Sequence, residues 1–222
     1  MSGGPGAHTR IAICFHGFLR TGVAMSPVRK RLIREGWHQV DLPTARYELR
    51  SVEELGAWAA RRIREASTRA GGARVDVVTH SMGGLVLRAS LAHAPPVRRV
   101  VMLSPPNSGA EMAEQVRKLL PFHRLGWDPL QPLLPGSPQA LPLPEGVEVG
   151  VLTGGRQPGG YNPLLSGDND GKVRVEEARL EGAQDFGVVA ARHPFIMAQD
   201  HVLDEVVRFL RTGAFSLKRT TD

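Results

Sequence analysis

Short apolar runs alternate along this chain with stretches whose apolar residues recur at helical spacing. Ile11 to Phe15 reads as a strand buried on both faces, followed by the glycine turn His16-Gly17-Phe18-Leu19. Ser26-Pro27 then marks a helix start, with Val28, Leu32 and Ile33 on its inner face and Gly36 as its stop. Trp37 to Leu42 is a second strand, closed by Pro43. Ser51 caps the next helix, and Glu54 three residues on completes a capping box. Val52, Leu55, Ala59 and Ile63 form its apolar stripe, so Trp58 beside them is expected to pack rather than to hold a ligand. Gly71-Gly72 ends that helix.

The next stretch, Arg74-Val75-Asp76-Val77-Val78-Thr79, is a third strand, and the rest of the chain is organised around it. It runs through His80 into Ser81, meets glycines at 83 and 84, and continues as Leu85, Val86, Leu87, Ala89 and Leu91 at helix-compatible spacing. Strand, serine, glycines and helix in that order are the layout of a nucleophile elbow, where a sharp turn lifts the serine Oγ clear of the sheet edge. Pro95-Pro96 breaks the helix, Val97 to Leu103 is a fourth strand, and Pro105-Pro106-Asn107 leads into a helix from Glu111 to Leu120. Val147 to Thr153 and Gly187 to Ala191 are the fifth and sixth strands. The last helix carries Val202, Leu203, Val206, Val207 and Leu210 on one face and stops at Gly213.

This alternation predicts an α/β fold, a mostly parallel sheet of about six strands with helices on both faces. One domain is expected over residues 10–214, with flexible tails at 1–9 and 215–222. Residues 121–146 are the compositional exception, proline-rich with interspersed leucines and Trp127. Such a stretch is not regular structure, and its apolar content points to an ordered flap or wall beside a site. In parallel sheets the site lies outside the carboxyl ends of the strands. His16, Ser81, Asn107, Asp170 and His193 all fall there.

Composition narrows the classes. At 222 residues the chain can bury one sizeable core. No run approaches the ~18 apolar residues of a membrane span, and Met1 to His8 lacks the charged-then-apolar pattern of a signal peptide, so a cytoplasmic protein is expected. The single cysteine, Cys14, excludes an intramolecular disulfide and is expected as a packed thiol. A net charge of +6 raises the question of nucleic acid. The cations, however, are spread along helices (Arg29, Lys30, Arg31, Arg34; Arg61, Arg62, Arg64, Arg69), with no aromatic interleaving or nucleic-acid motif. A solvated surface is expected, with no nucleic-acid partner and at most weak attraction to anionic lipid head groups.

A serine hydroxyl attacks only when a base takes its proton, and the base needs an orienting acid. For the acid, Gly167-Asp168-Asn169-Asp170-Gly171-Lys172-Val173 follows the fifth strand. Asp170 is the choice, and Asp168 is the competitor whose simpler reading is turn chemistry. The same loop has the spacing of an EF-hand, but Ser166 stands at its first position and the β-formers Val173 and Val175 follow, so calcium is not expected. For the base, His193 follows the sixth strand and opens His193-Pro194-Phe195, whereas His201 lies inside the final helix. A histidine suits the role because its unperturbed pKa, about 6.5, lets it accept and return a proton at neutral pH. The backbone N–H groups of Phe18 and Met82 are the expected oxyanion donors, each worth roughly 3–4 kcal/mol. His16, Gly17, His80 and Gly83 are expected as structural residues near the site, the histidines bracing turn and elbow through hydrogen bonds. The remaining histidines are scattered, so neither a metal nor a cofactor is expected.

Together, His16-Gly17-Phe18, Thr79-His80-Ser81-Met82-Gly83-Gly84, Asn169-Asp170-Gly171 and His193-Pro194-Phe195 resemble α/β-hydrolase lipases and esterases. The likeness is closest to the small bacterial triacylglycerol-lipase group and its deacylase-like relatives, and it runs from Ile11 to Gly213. It implies a reduced, six-stranded family sheet, acyl ester or lipid substrates, and hydrolysis through an acyl-enzyme. Thr79 departs from the pattern, which usually has glycine there, and a β-branched residue implies extra room or strain against the elbow helix. Acyl transfer to an alcohol or thiol would use the same residues. A non-catalytic binding protein on this fold is the reading from another class, and a complete Ser, Asp, His order argues against it.

Overall fold

The computed structural model describes residues 9–119, 128–137, 143–155 and 159–217. Its strands are β1 (Ile11–Phe15), β2 (Gln39–Asp41), β3 (Val75–His80), β4 (Val97–Leu103), β5 (Glu148–Gly154) and β6 (Asp185–Val189). They form one sheet in the order β2-β1-β3-β4-β5-β6, and every neighbouring pair is parallel. Parallel neighbours need crossovers. These contain α1 (Ser26–Arg34), α2 (Val52–Arg69), α3 (Met82–Leu91), α4 (Glu111–Leu119) and α5 (Val175–Ala178), and α6 (Asp200–Thr212) follows β6. The expected fold class is therefore the one observed.

Alternation along the strands divides the core into two layers. Ile11, Ile13 and Phe15 of β1 face Leu55, Ala59 and Ile63 of α2 and Val86 of α3. Ala12 and Cys14 face the other way, onto Val28 and Leu32 of α1 and Val206 and Leu210 of α6. Trp58 packs edge-on against Phe15 and Tyr47. Burial pushes the Cys14 thiol pKa up, which keeps it protonated and inert.

Several boundaries differ from the sequence reading, each for a local reason. Ile33 is 44% exposed, because the core-facing row is Val28 and Leu32 at i and i+4, and Ile33 stands about 100° further round. Trp37 does not begin β2. Its N–H closes α1 on the Leu32 carbonyl, and its indole N–H bonds Asp76 at 2.9 Å. The sixth strand starts two residues earlier than expected and ends at Val189, after which Ala191 N–H turns back onto the Val189 carbonyl. The chain stays packed beyond Gly213: Phe215 is buried against Phe209, and Ser216 N–H bonds Glu205. Of the proline-rich stretch, residues 121–127 and 138–142 lie outside the described residues. Within 128–137, Leu130, Leu133 and Leu134 are buried, and the Leu133 carbonyl accepts from Ala110 N–H at 2.8 Å.

Candidate active site

Ser81 occupies the single position between β3 and α3, with φ 53° and ψ −127°. A serine there is strained, at a cost of about 1–3 kcal/mol. The turn is held by Ser81 N–H on the Leu103 carbonyl at 2.9 Å and by Gly84 N–H on the Ser81 carbonyl at 2.9 Å. The first turn of α3 can cross the end of β1 only because residue 83 has no side chain. A Cβ there would stand 2.6 Å from the His16 carbonyl oxygen and 2.7 Å from that of Phe15. Gly17 meets the same limit from the other side, 2.9 Å from His80 Nδ1 and 3.2 Å from Ser81 Cβ. Thr79 is fully buried, and its Oγ1 lies over Gly84 with no hydrogen-bond partner among the described residues. The elbow thus accommodates the departure from glycine at the cost of one unsatisfied hydroxyl.

Glycine in place of Ser81 should relieve the strain. Set against the extra chain entropy of glycine, about 0.5–1 kcal/mol, the net gain is about 1 kcal/mol, or a Tm higher by about 2–4 °C. Thermal unfolding of Ser81→Gly measures this, and a lower Tm than wild type would show that the turn is not strained.

The histidines at 16 and 80 each make two ends meet. His16 Nε2 accepts from Ala45 N–H at 3.3 Å, so its Nδ1 carries the proton given to the Gly17 carbonyl at 2.8 Å. Its ring stacks on Tyr47 at 4.3 Å, and burial lowers its pKa. His80 donates Nε2–H to the His193 carbonyl at 3.0 Å, joining the elbow strand to the loop after β6. Its Nδ1 is buried and has no partner among the described residues. Burial, the neighbouring His193 ring, Arg20 and Lys172 hold the His80 pKa well below the ordinary histidine range, so the ring is neutral.

Asp170 and His193 converge from the ends of β5 and β6. His193 Nδ1 lies 2.7 Å from Asp170 Oδ2, with both side chains almost fully buried. With Nδ1–H given to the carboxylate, the His193 lone pair is on Nε2. Asp170 Oδ1 accepts from the N–H groups of Lys172 (2.9 Å) and Val173 (2.8 Å), and the Asp170 carbonyl accepts His193 N–H at 2.9 Å. Burial pushes the carboxyl pKa up. His193, the Val173 N–H and the Ser104 hydroxyl outweigh burial and hold it below the usual value.

The Asp168 carboxylate packs over Gly155, and its carbonyl takes Val175 N–H at 2.9 Å. His201 is exposed on α6. Asn107 is buried: its side-chain N–H donates to the Ala178 carbonyl, its backbone carbonyl accepts from Arg88, and its Oδ1 has no partner among the described residues.

A cavity of about 380 Å³ opens where these elements meet. Ser81, His80 and His193 line it together with Gly17 and Phe18. Met82 N–H, the first of α3, has no intrahelical acceptor, and Phe18 N–H has no acceptor among the described residues. Sequence reasoning missed two supports. Fully buried Asn169 ties the acid loop together, accepting from Asn162 and Gly171 N–H and donating to the Gly167 carbonyl. Ser104, at the end of β4 with φ 47°, stands behind Asp170. The asparagine of Asn169-Asp170-Gly171 was visible as a turn residue; nothing in the sequence marked Ser104. Among the described residues no group of three or more His, Cys, Asp or Glu side chains could hold a metal ion. No helix among them is long and apolar enough to cross a membrane.

A parallel six-stranded sheet with a strained serine at the elbow after its third strand, and a His–Asp pair after its last two, defines the hydrolase class of α/β proteins. The model of the alpha/beta hydrolase family matches residues 12–213, and the chain belongs to that family. No curated protein sequence matches it. Among solved structures it is similar to the mature lipase BlEst2 of Bacillus licheniformis, with 20% identity, 94% of each chain covered and a TM-score of 0.72. It is also similar to a metagenomic carboxyl esterase (19% identity, 86% of this chain and 66% of that one, TM-score 0.65). A third likeness is to Aspergillus fumigatus lipase B (15% identity, 96% and 55%, TM-score 0.66). At these identities the likeness is one of fold.

Proposed function

We propose that this protein hydrolyses carboxylic acyl esters through an acyl-enzyme, with Ser81 as nucleophile, His193 as base and Asp170 as its orienting acid. The observation that carries the reading is the 2.7 Å Asp170–His193 bond in a cavity whose wall also holds Ser81 on its strained turn. Such a bond leaves Nε2 of His193 free to take the serine proton as Oγ attacks the ester carbonyl. The ionised Asp170 stabilises the imidazolium that forms. Charge building on the carbonyl oxygen is received by the N–H groups of Met82 and Phe18. His193 then returns the proton to the departing alcohol, and a water repeats the cycle on the acyl group.

The lipase and esterase names of the structural neighbours support ester substrates, and the apolar wall of the cavity supports an acyl chain. That wall includes Met112 and Val116 of α4 and Leu130 and Leu133 of the proline-rich stretch, which gives the stretch its role beside the site.

A fluorophosphonate probe tests the nucleophile directly. One equivalent per chain is expected on Ser81, read by intact mass and peptide mapping. No label, or label on another residue, would overturn the assignment.

A further inference from the structure

Sorted by chemistry, the described lining of the site cavity is sharply unequal. Apolar side chains dominate it, from α4, the 128–137 segment, Val173 and the turn at Phe18 and Leu19. The only charged side chains are Arg20 and Lys172, both cationic, and no aspartate or glutamate lines the cavity among the described residues. The protein carries many arginines, yet those at 31, 98, 99, 174 and 211 are tied to carboxylates. Neither Arg20 nor Lys172 has a side-chain hydrogen bond or ion pair among the described residues, and both are exposed to the cavity mouth.

Their backbones are not free to wander. Arg20 stands two residues beyond Phe18, with its N–H on the Gly17 carbonyl at 3.3 Å. Lys172 stands two residues beyond Asp170, with its N–H on the Asp170 carboxylate at 2.9 Å. The two cations therefore come from the oxyanion turn and the acid loop. Both stand close enough to the elbow to bear electrostatically on His80.

Resting on the ester-hydrolase reading above, we infer that the substrate carries an anionic group, phosphate or carboxylate, in the alcohol portion next to the scissile ester. Arg20 and Lys172 receive that group while the acyl chain lies along Met112, Val116, Leu130 and Leu133. A planar guanidinium and a compact ammonium lining one cavity can give an anion both charge and hydrogen bonds, which a neutral alcohol portion cannot use. The anionic ester has two sources, a phospholipid in a surface and a soluble phosphorylated ester, and both present the same chemistry.

The test compares two soluble esters that differ in one group, hexanoyl glycerol and hexanoyl glycerol 3-phosphate. The readout is the ratio of kcat/KM values, phosphate-bearing over neutral. Wild type is expected to favour the phosphate ester by about tenfold in low salt, with the ratio falling as ionic strength rises. In the double variant Arg20→Gln, Lys172→Gln the ratio should fall to about one. Each ratio is internal to one protein, so a variant that is only partly folded still reports it.

A wild-type ratio near one, or an undiminished ratio in the double variant, overturns the inference while leaving ester hydrolysis standing. No turnover of either ester and no fluorophosphonate label overturns the hydrolase reading with it. A longer-chain relative of the phosphate ester, dodecanoyl glycerol 3-phosphate, presented below and above its critical micelle concentration, separates the sources. Activity confined to the aggregated form points to a lipid surface, and activity on the monomer to a soluble ester; both uphold the anionic substrate.

Discussion

Ser81→Ala should lower kcat on a p-nitrophenyl acyl ester by about 10⁴–10⁶ while leaving the protein folded. The reason is in the division of labour at the elbow. Alanine removes only Oγ, so the turn, the Gly84 bond and the Asp170–His193 pair remain. A water activated by His193 could still reach a bound ester, and the Met82 and Phe18 N–H groups would still receive charge. Residual activity is therefore expected to stand above the uncatalysed rate without any acyl-enzyme burst. Pre-steady-state kinetics with the same ester read both features. Equal turnover by wild type and variant would overturn the serine mechanism, and a persisting burst would place the nucleophile elsewhere.

Asp170→Asn should cost about 10³–10⁴ in kcat/KM, although it changes a single heavy atom. The Asp170 carboxylate accepts three N–H groups, from the His193 ring, Lys172 and Val173. An asparagine amide turned to keep the two backbone donors on its oxygen presents its NH₂ to His193 Nδ1. The ring then takes the opposite tautomer, with its proton on Nε2, and cannot act as the base. Asp168→Asn, whose side chain packs over Gly155 instead, is expected to stay within about tenfold of wild type.

Stability should follow the same residue. The Asp170 carboxyl is held below its ordinary pKa, so its ionised form stabilises the native state above the unfolded value of about 3.9. That contribution is lost as pH falls through the lower folded value. The difference in urea unfolding free energy between wild type and Asp170→Asn should therefore shrink below about pH 4. A difference that grew on acidification would contradict the assigned direction.

The parts of this molecule that were legible in the sequence are those written in local patterns. β-branched runs and helical stripes gave the six strands and their crossovers, because burial on both faces leaves no other way to satisfy them. Ser81, Asp170 and His193 were visible because each directly follows a strand or lies in the loop beyond one, and parallel topology gathers those ends. What escaped depends on distances along the chain that no local pattern encodes. Ser104 lies far from Asp170 in sequence, and its place behind the carboxylate comes from the pairing of β4 with β5. The bond from His80 to the His193 carbonyl links residues 113 apart. Ile33 was misassigned for the opposite reason: it is apolar beside Leu32, but successive helical residues stand about 100° apart, which carries it off the inner face. His193, expected directly after the sixth strand, opens a short 3-10 turn, His193–Ala198, with Pro194 at its start.

The backbone at Ser81 sets the economy of the protein against its chemistry. Glycine fits that φ and ψ better than serine does. Drift toward a firmer fold and drift toward inactivity thus run in the same direction at this one site. A chain relieved of its chemistry has every physical reason to give up that side chain, and this one still bears it.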